Sequence, residues 1–142
     1  MRSVLFATFA VAVLTAAAPV SAEVLHFRAS LDSGSETPPN ASTGSGSAKV
    51  SLDTSAKTVS WTVTYKALSG PATMAHFHGP AAVGVAAGVE VPITGDLTSP
   101  ITGSASVTDA QAADLRAGKW YVNVHTAANP GGEIRGQVVP AK

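Results

Sequence analysis

No cysteine occurs in the 142 residues. That excludes a disulfide framework, a thiolate metal site and a cysteine nucleophile, so any metal must be held by nitrogen or oxygen ligands. Charge is scarce too: nine Lys+Arg and nine Asp+Glu make up 13% of the chain and cancel to a net charge of zero. Cations this sparse do not build the basic face that neutralises phosphates, and nucleic acid is not expected as a partner. No G-x-S-x-G elbow stands between a strand and a helix signal, which removes the familiar serine hydrolase arrangement. Gly44-Ser45-Gly46 precedes a strand signal and not a helix, so it is no phosphate-binding loop.

Long apolar runs are also missing, with one exception near the start. Val4 to Ala18 carries no charge, follows Arg2, and leads to the small residues Val20-Ser21-Ala22. This is the form of a secretory signal, and it is short for a membrane span of roughly 20 residues. Residues 1–22 are therefore read as a signal peptide and residues 23–142 as one exported domain, secreted or periplasmic, with no membrane association after cleavage. Such a compartment permits disulfides, but this chain has none to form, so stability must come from an apolar core.

What is present is alternation. Leu25, Phe27, Ala29 and Leu31 alternate with polar residues, as do Ala48, Val50 and Leu52, and then Val59, Trp61, Val63 and Tyr65. Further strand signals cover 74–78, 89–93, 101–107, 120–126 and 133–139, divided by Asp53-Thr54-Ser55, Ser69-Gly70-Pro71, Gly95-Asp96 and Asn129-Pro130-Gly131-Gly132. Many short strands with close turns predict an all-β antiparallel sandwich or barrel. One segment differs: Thr108-Asp109-Ala110-Gln111 has the form of a capping box, and Gly118 suits the position after a helix end, so 109–117 is read as one short helix. Residues 33–47, rich in Ser, Gly, Thr and Pro, read as a long loop containing the sequon Asn40-Ala41-Ser42.

The residues able to carry chemistry are few. In Ala75-His76-Phe77-His78-Gly79-Pro80, two histidines stand two apart, so on a strand both imidazoles leave the same face while Phe77 points to the other. In Tyr121-Val122-Asn123-Val124-His125-Thr126, His125 also lies at a strand end, sharing a face with Tyr121 and Asn123. If the two strands are neighbours, His76, His78 and His125 form a three-imidazole metal site with ring nitrogens roughly 3–4 Å apart, open for water or another ligand. Copper is favoured by the Irving–Williams order, with zinc the alternative. The plainer reading is that these are hydrogen-bonded structural histidines. Glu36, Glu133 and Arg135 are candidates for supporting groups around the metal. Plainer roles are loop solubility and pairing with Arg135 for the two glutamates, and a cross-strand salt bridge for Arg135, which shares a strand face with Glu133 and Gln137. His26 alternates with Leu25 and Phe27 and is expected to face solvent.

These pieces, in this order, resemble the CHRD domain, named after chordin and found in many short secreted bacterial proteins. The resemblance rests on Leu31 to Pro39, on Ala75 to Ala81, on Leu115 to Tyr121, on Val122-Asn123-Val124-His125-Thr126, and on Asn129 to Gln137. It covers about Val24 to Val139 and implies an immunoglobulin-like β-sandwich in an extracellular setting, with a protein partner conceivable and the domain's own task undefined. A looser similarity is to copper/zinc superoxide dismutase, which has an H-x-H strand, a later histidine and a downstream arginine in the same order as His76/His78, His125 and Arg135. This chain lacks that enzyme's disulfide, its bridging histidine and its zinc-loop cluster. Copper binding is thus carried over more readily than the dismutase reaction. The sequence is read as an exported binding protein with a copper-type site. The alternatives are a metal-free extracellular interaction module and, less favoured, a copper enzyme.

Overall fold

Alternation along the chain becomes eight antiparallel strands, seen in a computed structural model that describes residues 22–142. The expected signal segment, except for its last residue Ala22, lies outside the described residues. The strands are β1 (Val24–Asp32), β2 (Ser45–Asp53), β3 (Thr58–Lys66), β4 (Ala72–His78), β5 (Val89–Ile93), β6 (Ile101–Ser106), β7 (Trp120–Thr126) and β8 (Ile134–Pro140). One helix, α1 (Asp109–Arg116), crosses between β6 and β7. Among the described residues no helix is long and apolar enough to cross a membrane.

All eight strands are hydrogen-bonded in one sheet, in the order β5-β4-β7-β8-β1-β2-β3-β6. Strands β3 and β4 are far apart in that order, yet Trp61 of β3 meets Phe77 of β4 edge-on at 5.4 Å between ring centroids. The sheet must therefore curl until its two halves face each other, giving a nearly barrel-shaped layer around one core. Phe77 continues the aromatic column to Trp120 at 5.8 Å. Cross-strand pairs such as Phe27 with Val50 and Val50 with Trp61 extend it across the second half. Each such buried side chain contributes roughly 1.5–3 kcal/mol over leaving it in water.

The helix forms where the capping box predicts. Thr108 Oγ1 accepts from the Gln111 N–H at 3.1 Å, and Gln111 Oε1 accepts from the Thr108 N–H at 2.9 Å. It ends one residue before the expected limit, with Ala117 as C-cap. Gly118, at φ +69°, donates to the Leu115 carbonyl, and Lys119 donates to that of Asp114. That pair of bonds is the Schellman arrangement, and the positive φ explains the glycine. Leu115 anchors the helix in the core, while the Gln111 amide ties it to Glu90 of β5.

Strand β7 departs from the half-buried pattern, because every one of its residues is buried. Trp120, Val122 and Val124 face the core. Tyr121, Asn123 and His125 leave the opposite face, which elsewhere meets solvent, and are buried because two loops fold over it. The 33–44 loop is fastened there by the Asn40 amide, which donates to the carbonyls of Gly132 and Glu133. The sequon asparagine is thus engaged in the fold. The 79–88 loop is fastened through Ala81, Val85 and Ala87, whose carbonyls accept from Gln137, Arg135 and Tyr121.

Candidate metal centre

Strands β4 and β7 are neighbours, and their register decides which side chains meet. His76 stands opposite Asn123, His78 opposite Tyr121, and Met74 opposite His125. His76 and His125 are therefore diagonal neighbours on one face, a separation that imidazoles can span. The rings of His76 and His125 lie 5.0 Å apart and those of His76 and His78 5.4 Å apart, both nearly perpendicular. The three histidines each offer one ring nitrogen, and these atoms all lie within 4.8 Å of one another. The closest pair, His76 Nδ1 and His125 Nε2, is 3.2 Å apart. Sequence parity puts His76 and His78 on one face of β4, and the β4–β7 pairing brings His125 to them.

The far sides of two of these rings are fixed by backbone. His78 Nδ1 lies 3.0 Å from the Ala87 carbonyl, and His125 Nδ1 lies 2.9 Å from the Pro130 carbonyl. A carbonyl can only accept, so each Nδ1 carries the hydrogen and each neutral ring keeps a bare lone pair on Nε2. Both Nε2 atoms lie 3.0 Å from Asn123 Oδ1, itself an acceptor. Four electron-rich atoms thus converge, and His76 Nδ1 is the one among them with a hydrogen to offer in a neutral ring. The His76 and His125 rings are held neutral: burial pushes their pKa values below 6.5. For His76 the neighbouring imidazoles add to this, while for His125 the Pro130 carbonyl partly opposes it. Neutral imidazoles whose second nitrogen donates to a backbone carbonyl are the form in which histidine ligates a metal. The three histidines could hold a metal ion, with His78 and His125 offering Nε2 and His76 offering Nδ1.

The supporting residues divide. Tyr121 stacks on His78 with ring centroids 4.7 Å apart and planes 5° from parallel, and the Arg135 guanidinium covers its ring at 3.5 Å. Arg135 donates to Thr37 Oγ1 and to the Val85 carbonyl. It forms no ion pair with Glu133, because Glu133 faces elsewhere. Glu133 precedes the first residue of β8, so the strand's alternation does not reach it, and its carboxylate is bound by Ser42, Ser69, Thr126 and Asn129. It is not beside the imidazoles. Glu36 is buried against Gly132 and the Asn123 amide, where desolvation raises its pKa while Asn123, the Thr37 N–H and Arg135 oppose the rise. Gly132 has φ +128°, and a Cβ there would sit 2.2 Å from Glu36 Oε1, so no other residue fits. His26 is exposed on β1, as expected. Strand alternation puts Asn123 and Tyr121 on the His125 face but assigns them no role. Their contribution depends on cross-strand register, which the sequence does not display.

A family model described as CHRD domain matches residues 27–138. The chain belongs to the CHRD domain family. No curated protein and no solved structure matches it. The match runs from β1 into β8, so the histidine cluster and both covering loops lie inside the CHRD domain and are not additions to it.

Proposed function

We propose that this CHRD domain is an exported metal-binding protein whose His76, His78 and His125 hold a copper-type ion, with zinc as the alternative. The observation that carries the reading is the convergence of bare lone pairs, two of them on rings anchored to backbone carbonyls. A cation is what such a set lacks. Met74, exposed and directly opposite His125, adds a thioether on the same face, which suits copper(I) better than zinc. The ion would serve capture, buffering or delivery in the periplasm or outside the cell, as the leader-like residues 1–22 suggest. The curled sheet is read as a relative of the immunoglobulin-like and superoxide dismutase-like sandwiches. A dismutase reaction is less favoured, since the three imidazoles have no fourth partner nearby, and a superoxide assay on copper-loaded protein decides it.

The test is titration of the purified protein with Cu(II), Cu(I) and Zn(II), read by calorimetry and melting temperature. One ion per chain is expected, and a ligand at 100 times its Kd adds about 2.7 kcal/mol to native stability. H76A/H78A/H125A abolishes both signals. An unchanged stoichiometry in that variant, or no thermal shift with any of the metals, overturns the proposal. A metal-free interaction module is the second reading. It is favoured by the exposed valines of the 79–88 loop and Val89, and by an Asn123 amide that, turned over, would give each Nε2 an N–H.

A further inference from the structure

We infer that the cleft above Arg135 and Gln137 is a second binding site, for a small molecule that carries a carboxylate and a neighbouring N–H group, an α-amino acid in its simplest form. This site is independent of the metal. It lies between the 33–44 and 79–88 loops, has a volume of about 410 Å³, and is lined by Ser35, Glu36, Thr37, Val83, Arg135 and Gln137. That volume is in the range of small-molecule sites.

Arg135 supplies the first argument. Its side chain is 2% exposed, and its donors are satisfied only by neutral groups, Thr37 Oγ1 at 3.0 Å and the Val85 carbonyl at 2.8 Å. Among the described residues the ion pair found is Lys57 with Asp109, and no carboxylate lies within pairing distance of Arg135. The Glu36 carboxylate, in the same cleft, acts on Arg135 without pairing with it, so a carboxylate entering beside the guanidinium would meet its unused N–H bonds while an N–H group faces Glu36. Thr37, having accepted from Arg135, keeps its own hydrogen to donate to the same anion.

Gln137 supplies the second. Its Nε2 donates to the Ala81 carbonyl at 2.9 Å and to that of Gly118 at 2.8 Å. Both amide hydrogens are used, so the amide cannot be turned over, and Oε1 is buried with no partner. Glu36 Oε1 is buried without a partner as well. The residues lining the cleft therefore bring a cation and a hydroxyl together with two acceptors, buried beneath its surface, that need donors. A bare anion leaves those acceptors unmet, and a bare amine meets the charge of Arg135. A molecule with both groups answers both, and water satisfies the oxygens but brings no charge to the guanidinium.

The probes are L-alanine, L-leucine, N-acetyl-L-alanine and acetate, titrated calorimetrically into the purified protein with EDTA present. Saturable binding of alanine or leucine is expected at one molecule per chain, with acetate about tenfold weaker or worse. Retention of N-acetylalanine assigns the ligand to a peptide C-terminus, and its loss assigns it to a free amino acid. R135K keeps the charge but loses the planar fork, and should weaken binding about tenfold. T37A, at an exposed loop position that should not affect folding, should weaken it several-fold. H76A/H78A/H125A should bind as the parent does. No saturable heat from either amino acid or from N-acetylalanine, indifference to both substitutions, or loss of binding in the histidine variant overturns the inference. Loss in the histidine variant would instead place the ligand on the imidazoles.

Discussion

His125 and Thr126 are consecutive on β7, and their side chains leave opposite faces of the strand into two polar clusters of contrasting completeness. On the Thr126 side, the Glu133 carboxylate accepts from Ser42 Oγ, Ser69 Oγ, the Ser69 N–H, Thr126 Oγ1 and Asn129 Nδ2. Burial alone would raise its pKa, but these donors together outweigh it and bring the value down to about 2. On the His125 side, acceptors meet acceptors. A buried polar group normally finds its partners within the fold, and one that does not asks for an explanation. The Glu133 cluster is closed and holds the 33–44 loop, the β3–β4 connection and the β7–β8 turn together. The histidine cluster is open, which is the property expected of a site that receives something.

The sharpest way to break this contrast is Glu133→Gln. The amide cannot accept five hydrogen bonds, and its N–H₂ faces donors. A loss on the order of 3 kcal/mol is expected, from the removal of charge-assisted bonds inside a buried network. Chemical denaturation measures it, and metal stoichiometry in the folded variant should be that of the parent. A variant as stable as the parent would show that the closed cluster is not structural.

A smaller effect separates the clusters by pH. The folded protein holds His76 and His125 neutral to a lower pH than the unfolded chain does, so the unfolded chain takes up protons first. Stability from these rings is complete above pH 6.5 and falls as the pH drops below it. A decrease of at most about 1 kcal/mol is expected, because His76 is partly exposed and solvent screens its contribution. Glu133 acts in a separate window: its contribution is present above pH 4.5 and is lost as the pH falls toward 2. Glu36, whose pKa is raised, works the other way, since its penalty is relieved on protonation. Denaturation midpoints between pH 7.5 and 5 in the metal-free protein, compared with H76A/H125A, isolate the histidine part. An identical slope in that variant would mean that other groups carry the dependence.

Much of this contrast could be read in advance, and the unread part has a physical cause. Period-two alternation gave all eight strands to within a few residues, because the sheet is solvated on one face over most of its extent. The helix followed from Thr108 and Gln111, whose reciprocal bonds are local. Same-face parity of His76 with His78, and of Asn123 with His125, is also local. The pairing of β4 with β7 is not, since about forty residues and a helix intervene. The anchoring carbonyls of Ala87 and Pro130 belong to loops whose paths no period encodes. The expected Glu133–Arg135 pair does not form for a related reason: alternation holds only from Ile134 onward, and before it Gly132 turns the chain and sends Glu133 inward.

The smallest effect is expected at His26, the one histidine outside the cluster. It lies on β1 opposite Ser51, next to Phe27, which pairs with Pro140 at the end of β8. Arg135, which stands beside Asn123 and hence beside the imidazoles, is five residues back along β8. At about 3.3 Å per residue, His26 is roughly 17 Å along the sheet from the cluster, in addition to the strands between. No side-chain rotation closes that gap, so a fourth imidazole is not available to an ion held at the cluster. His26→Ala should leave metal stoichiometry and affinity unchanged and stability within about 0.5 kcal/mol, as for an exposed residue without partners. A loss of bound metal in that variant would show that ions collect on exposed histidines generally, and the contrast between an open cluster and a closed one would lose its functional meaning.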